Sequence, residues 1–377
     1  MKKYFKKQIG IFYFYHAHYI FMKRFSFSIN LLISAIIIFQ TACKPADDTQ
    51  ATDTYSKGVY ITNEGSFKVP GDVSFYNRNV GGITTDIFSK GNNGASAGSF
   101  VQSMTYLNRD TAFVVVNGSN KILMINPRTF QVFDSISIFY PRYLHLINAT
   151  RGYVSAGNGT KAASDSIYVL NFKSKTFLKS APVNGLGPDQ IISYGYKQYV
   201  INSGGYAKDS SVAVFDASTV YADTILTKIK VGAGPNSIVR DANGDIWVLC
   251  GNYYDQVGNG KLYQIRNDVV VGTFDAPKYA SNLTTDLSGN NLYYLSGNQI
   301  FTKNLLNFTT NPPQLFMSQP YFVSLYGLAF DPTSGYMYCT DAKDFASKGS
   351  LYIFDALTKT LKDSVKVGVA PSNFSFN

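Results

Sequence analysis

Histidine is almost missing from this chain: 377 residues hold three, and two of them, His16 and His18, fall near the start. His145 is therefore the one imidazole in the body of the sequence, so no His-rich metal centre and no Ser-His-Asp constellation is indicated. Set after Tyr143-Leu144 in an apolar run, it reads as a satisfied core residue. Cysteine is as scarce, at three residues, which excludes a disulfide scaffold. Cys250 and Cys339 end equivalent runs and read as buried thiols. Charged residues make up 15%, against about 25% in an average soluble protein, and no block of like charge suggests a nucleic-acid arm. Apolar runs stay short as well. The nine residues Leu31–Phe39 cannot span a bilayer, which needs about 20. No Gly-rich loop opens a helix, so phosphate cradling is not indicated. Asp241-Ala242-Asn243-Gly244-Asp245 has the look of a calcium loop but lacks the downstream bidentate Glu. No metal and no cofactor is expected.

What is abundant is aromatic and small: 28 Tyr, 28 Phe and 31 Gly. Such a chain buries a large core, which excludes disorder. The short apolar run follows Lys23-Arg24 and precedes Gln40-Thr41-Ala42-Cys43, the layout of a secretory signal peptide. Met22 opens a complete signal by itself, so the biological start is expected there. Residues 1–42 carry six basic residues and no acid, so the formal charge of +10 falls to 10 − 6 = +4 over residues 43–377. The high pI is thus no argument for nucleic acid or acidic substrates. Residues 44–57 are polar, with few aliphatics, and read as a flexible tether.

A repeat organises the rest. Pro141, Pro188, Pro235, Pro277, Pro320 and Pro371 recur in similar turns at spacings of 47, 47, 42, 43 and 51, a mean of 46. Residues 58–377 therefore hold close to seven units. Each unit runs from the turn through a short apolar run to a β-rich run such as AFVVVN (112–117) or IWVLCG (246–251). A variable loop, a third run such as SVAVFDA (211–217) and a fourth such as VFDSISI (132–138) complete it. Four strands in each of seven units define an all-β fold, a seven-bladed β-propeller. The first unit begins at Gly58 with a second strand, and the segment Gly368–Phe376 supplies the missing first one. The C-terminal strand is expected to join the N-terminal blade and close the ring.

The units DSSVAVFDASTVYADTILTKIKVGAGPNSIVRDANGDIWVLC and GSLYIFDALTKTLKDSVKVGVAPSNF resemble the YncE-like propellers, and within them the cell-surface lipoproteins of Bacteroidetes. The likeness spans residues 58–377. Residues 40–43 likewise resemble a lipobox, although Gln40 stands where an aliphatic residue is usual; Cys43 would be the lipid anchor. Lys44-Pro45-Ala46-Asp47-Asp48 resembles a surface-export signal. The resemblance implies an exported outer-membrane lipoprotein facing outward, with a periplasmic face as the alternative. It also implies a TonB-dependent transporter or another envelope protein as partner. Cobalamin-binding members of that group exist, but no residue motif here singles out corrin binding.

The loops after the second strands and the interblade turns emerge on one face of such a ring, and the candidate binding residues lie there. Asn63, Glu64 and Phe67 come from the first unit, and Asn117 and Asn202 close the second runs of later ones. Tyr206, Tyr253 and Tyr254 lie in variable loops, as do Asp341, Lys343 and Phe345. Arg142, Tyr143, Tyr279 and Tyr326 join from the interblade side. Aromatic bodies with polar tips suit a mid-sized ligand or a protein. The expected function is non-catalytic binding of a nutrient-type small molecule or a partner. Two alternatives stand beside it: a lyase or hydrolase using Glu64, Asp341 or Asp344 in the central funnel, and a structural scaffold of an envelope complex.

Overall fold

The computed structural model describes residues 54–160, 165–219, 222–253, 258–307 and 312–377. The segments read from sequence as signal and lipid anchor (Cys43), most of the expected tether and Tyr254 lie outside them. Seven antiparallel four-stranded sheets follow one another. Their inner strands are β4 (Val101–Asn108), β8 (Pro141–Asn148), β12 (Pro188–Tyr194), β16 (Pro235–Arg240), β20 (Ser281–Thr285), β24 (Leu325–Phe330) and β28 (Pro371–Phe376). Each inner strand contacts the inner strands of the two adjoining blades, β24 meeting β28 and β28 meeting β4, so the ring is closed. The first blade takes its inner strand from the C-terminus: β28 pairs with β1 (Gly58–Asn63), which pairs with β2 (Asp72–Asn77). The closure expected from the repeat is therefore the closure observed.

Period-two alternation explains why the blades stack. In β5 (Thr111–Val116), Val114 and Val116 pack with Tyr60 and Phe75 of the blade before, while Phe113 and Val115 pack with Leu144 and Val154 of the blade after. Seven such apolar layers fill the seven interfaces. Second strands, apolar on both faces, are wholly buried in β1 and in β9 (Arg151–Ala156). Outermost strands alternate between exposed and half-buried positions, as in β11 (Thr176–Pro182).

Polar locks join neighbouring blades at their edges. Tyr153 and Arg151 both bond the buried Asp223 of the next blade, and Tyr199 donates to Asp268 at 2.6 Å. At the seam, Arg78 bonds Asp331 of the seventh blade at 3.1 Å and the Asn377 carbonyl, while Gly58 N–H donates to Asn377 Oδ1 at 2.7 Å. Helical periodicity is not apparent in the sequence, yet one turn of helix, α1 (Ile87–Gly91), fills the gap between the first two blades. Five residues are too few for a periodic signal. Ile87 and Phe88 anchor α1 in the interblade layer, and Asp72 accepts from the Phe88 and Ser89 N–H groups. Cys250 and Cys339 are buried free thiols, both pushed up in pKa by burial.

Candidate functional site

Every inner strand carries a bulge at the same place, at or just after its first residue. Against the second strand, the register skips Gln102 in β4, Arg142 in β8, Asn236 in β16, Tyr326 in β24 and Ser372 in β28. In β12 it skips Asp189 and Gln190, and in β20 Asn282 and Leu283. A bulged residue leaves the ladder and its side chain is re-aimed. Repeated round a ring, that displacement sends a polar side chain from each blade to one axial cavity of about 300 Å³, with Leu283 left in the core. Glu64, from the loop after β1, completes the wall.

The charges in the cavity are internally balanced. Arg142 Nη2 bonds Asp189 Oδ2 across adjacent blades, and the Asp189 side chain is only 7% exposed. Arg142 Nε is buried and has no partner. Tyr326 Oη donates to Glu64 Oε2 at 3.0 Å. Burial raises Glu64 above the ordinary carboxylate range, while its bonds to Tyr326 and Ser372 and the Arg142 charge pull it back only in part. The cost of desolvating the phenolate holds Tyr326 well above its usual value and pushes Tyr143 up to about 12. The cavity presents three neutral phenols (Tyr143, Tyr253 and Tyr326), side-chain amides, hydroxyls and one cation already paired with an acid.

His145, further along β8, hydrogen-bonds Ser193 Oγ through Nε2 at 2.6 Å, and Ser193 Oγ donates to Gln198 Oε1 at 2.6 Å. Burial lowers the imidazole to about 4, so it stays neutral. It is a satisfied residue of the inner strand, as the sequence suggests.

Aromatic pairs stand over the cavity, each joining an interblade turn or inner strand to a loop from a second strand. Tyr279 stacks on Tyr253 with centroids 5.7 Å apart and planes at 27°. Phe100 meets Phe67 edge-on at 5.5 Å, Tyr140 meets Tyr206 at 6.2 Å, and Tyr326 meets Phe345 at 4.9 Å. Phe67 is 97% exposed and Tyr206 71%. Phe100, Tyr140 and Tyr279 hold left-handed φ values of 55°, 46° and 62°, in turns where two other blades use Gly187 and Gly234. A bulky residue there costs on the order of 1–3 kcal/mol.

Of the residues singled out from sequence, Glu64, Arg142, Tyr143, Tyr253 and Tyr326 line the cavity, and Phe67, Tyr206, Tyr279 and Phe345 form its rim pairs. Four others are placed elsewhere. Asn63 is buried, donating to Ser74 Oγ and accepting from Gly368 N–H. Asn117 donates to the Pro141 carbonyl and Asn202 to Ser211 Oγ, both from buried positions. Asp341, fully buried, accepts from the backbone N–H groups of Val323, Ser324 and Lys343. These side chains serve blade edges and turns rather than the cavity wall. Asp344 holds its own turn through Ala346 and Ser347 N–H. Lys343 is half-buried, and Lys366 beside it draws its pKa down. Gln102, Asp189, Gln190, Asn236, Asn282, Ser372 and Asn373 were not singled out, although they line the cavity.

Fold and cavity together define a seven-bladed propeller whose inner-strand bulges build one polar axial site. The chain belongs to the family described as a domain of unknown function (DUF5074), matched over residues 57–374. Solved structures share the architecture at low identity. A quinonprotein alcohol dehydrogenase-like protein from Bacteroides thetaiotaomicron is 16% identical with a TM-score of 0.63, over 85% of this chain and 78% of its own. A functionally unknown protein from Desulfotomaculum acetoxidans is 12% identical with a TM-score of 0.62, over 85% and 99%. The periplasmic gluconolactonase of Pseudomonas aeruginosa is 16% identical with a TM-score of 0.59, over 85% and 98%. At these identities the likeness is one of fold alone. No curated protein matches the chain.

Proposed function

We propose that this protein is a non-catalytic binding module of the cell envelope, tethered through Cys43, that takes its ligand at the axial cavity and aromatic rim. One observation carries the reading: every inner strand bulges at the same point, and the re-aimed polar side chains meet in one cavity. A ring that needed only to be rigid would not require polar groups there. The export signal and the family resemblance add a surface setting and a TonB-dependent transporter as partner. Purification of the native lipoprotein from solubilised outer membranes, with mass spectrometry of companions, tests that setting. A stoichiometric transporter is expected; recovery of the protein by itself from the periplasmic fraction would overturn it.

A hydrolase is the second reading, favoured by the pairing of a carboxyl of raised pKa, Glu64, with Tyr326 in a cavity that also holds Asp189. Of the carboxylates considered from sequence, Asp341 and Asp344 do not line that cavity, so Glu64 would have to act as the acid. General acid catalysis contributes about 10²–10⁴-fold. The binding reading expects no turnover of sugar lactones or oligosaccharides above buffer, and no change on Glu64→Gln. Turnover that Glu64→Gln lowers a hundred-fold would establish the enzyme instead.

A further inference from the structure

We propose that the ligand is an uncharged carbohydrate chain, its terminal ring held in the axial cavity and the next rings lying on the aromatic rim. This rests on the binding reading above and deepens it. Three observations converge. First, the cavity offers charge-neutral recognition: its one lining cation, Arg142, is bonded to Asp189, and burial favours the protonated form of Glu64. An anionic ligand would have to displace that carboxylate, and a cation would meet Arg142. Second, the wall is rich in side-chain amides (Gln102, Gln190, Asn236, Asn282) beside phenols and serine hydroxyls. Amides and hydroxyls both give and accept hydrogen bonds, as does each hydroxyl of a sugar.

Third, the rim carries exposed ring faces that the fold does not require. Gly187 and Gly234 show that the left-handed turn works without a side chain, yet Phe100, Tyr140 and Tyr279 occupy it elsewhere. Strain retained in the ground state belongs where it serves recognition. Tyr253 joins the two zones, lining the cavity, stacking on Tyr279 and donating from Oη to the Tyr279 carbonyl at 3.2 Å. Flat, half-exposed rings next to an amide-lined pocket match the alternating C–H faces and hydroxyl edges of a saccharide.

The full mature chain is applied to an array of neutral and acidic glycans, and each binder is measured in solution by saturation-transfer NMR. A neutral oligosaccharide is expected to bind. Tyr253→Ala and Tyr279→Ala are each expected to weaken it roughly ten-fold. Tyr279→Phe, which keeps the ring face and guards against misfolding, should bind as the wild type does. Phe133→Ala, an exposed ring on the outer strand of another blade, should leave affinity unchanged. Binding of acidic glycans only, or neutral binding indifferent to Tyr253 and Tyr279, would overturn the assignment. Should no glycan bind while an outer-membrane protein is retained in a Tyr253- and Tyr279-dependent way, the carbohydrate proposal fails and the binding module stands with a protein occupant. With neither glycan nor partner, both fail.

Discussion

A chain ending at Val369 is expected to lose the cooperative unfolding transition of the full protein. The cut removes β28, the inner strand of the first blade, and leaves that blade with β1, β2 and the two-residue β3 (Ile83–Thr84). β1, buried along its whole length, would become an open edge. Five residue pairings between β1 and β28 vanish, as do the Thr340 Oγ1 bond to the Pro371 carbonyl and the Asn377 contacts of Arg78 and Gly58. At about 1 kcal/mol for each net hydrogen bond, plus the apolar contacts of Phe374 and Phe376 with Tyr338, the loss rivals the whole stability of a domain, about 5–15 kcal/mol. Circular dichroism melting and size-exclusion chromatography read the outcome: a broad, non-cooperative melt and aggregation. Asn377 N–H already bonds the Gly58 carbonyl, so a permuted chain that begins at Ala370 and runs through Asn377 into Gly58 by a short linker should recover the sharp melt. A truncated protein that melts like the full chain would refute the closure argument.

The propeller was legible because its constraints repeat. Second strands such as AFVVV and IWVLC must be apolar on both faces, since each faces two neighbouring blades, and that pattern recurs with the interblade turn. Ring closure followed from a missing first strand at one end and a surplus one at the other. The binding surface was legible only in part, for a geometric reason. Alternation assigns a side chain to a face by parity, and one bulged residue reverses that parity. Asn236, Asn282 and Gln102 therefore look like ordinary turn or strand residues until the skipped register is seen. Asn63, Asn117 and Asn202, by contrast, look like loop residues at the mouth, but they end buried strands, and their amides bind strand and turn atoms. A sequence signal did exist: the residue after the recurring proline is Arg142, Asp189, Asn236 or Ser372, polar in each of these units and set against an apolar run.

Arg142→Gln should destabilise the protein at neutral pH far more than in mild acid. Arg142 is the only cation among the cavity-lining residues, set between two carboxyl groups, bonding Asp189 and acting through its charge on Glu64. The Asp189 side chain is 7% exposed, so removing its partner leaves a carboxylate desolvated without a counter-charge. Breaking a buried pair costs about 3–5 kcal/mol; Arg142, at 26% exposure, keeps some water, so roughly 2–4 kcal/mol is expected at pH 7. The pH dependence follows from Glu64. Its carboxyl already sits above its unfolded value because of burial, so its contribution is present in acid and is lost as pH rises through the folded value. Without the Arg142 charge, that folded value moves higher and the loss at neutral pH deepens. Urea unfolding of the variant and the wild type at pH 7 and pH 5 should show the gap narrowing on the acid side. The double variant Arg142→Gln with Glu64→Gln should regain part of the stability at pH 7, since one of the two uncompensated carboxyls is then gone. A gap that is the same at both pH values, or a double variant less stable than the single one, would mean that Arg142 does not balance the acids of the cavity. The charge-neutral character of the site would then have to come from elsewhere.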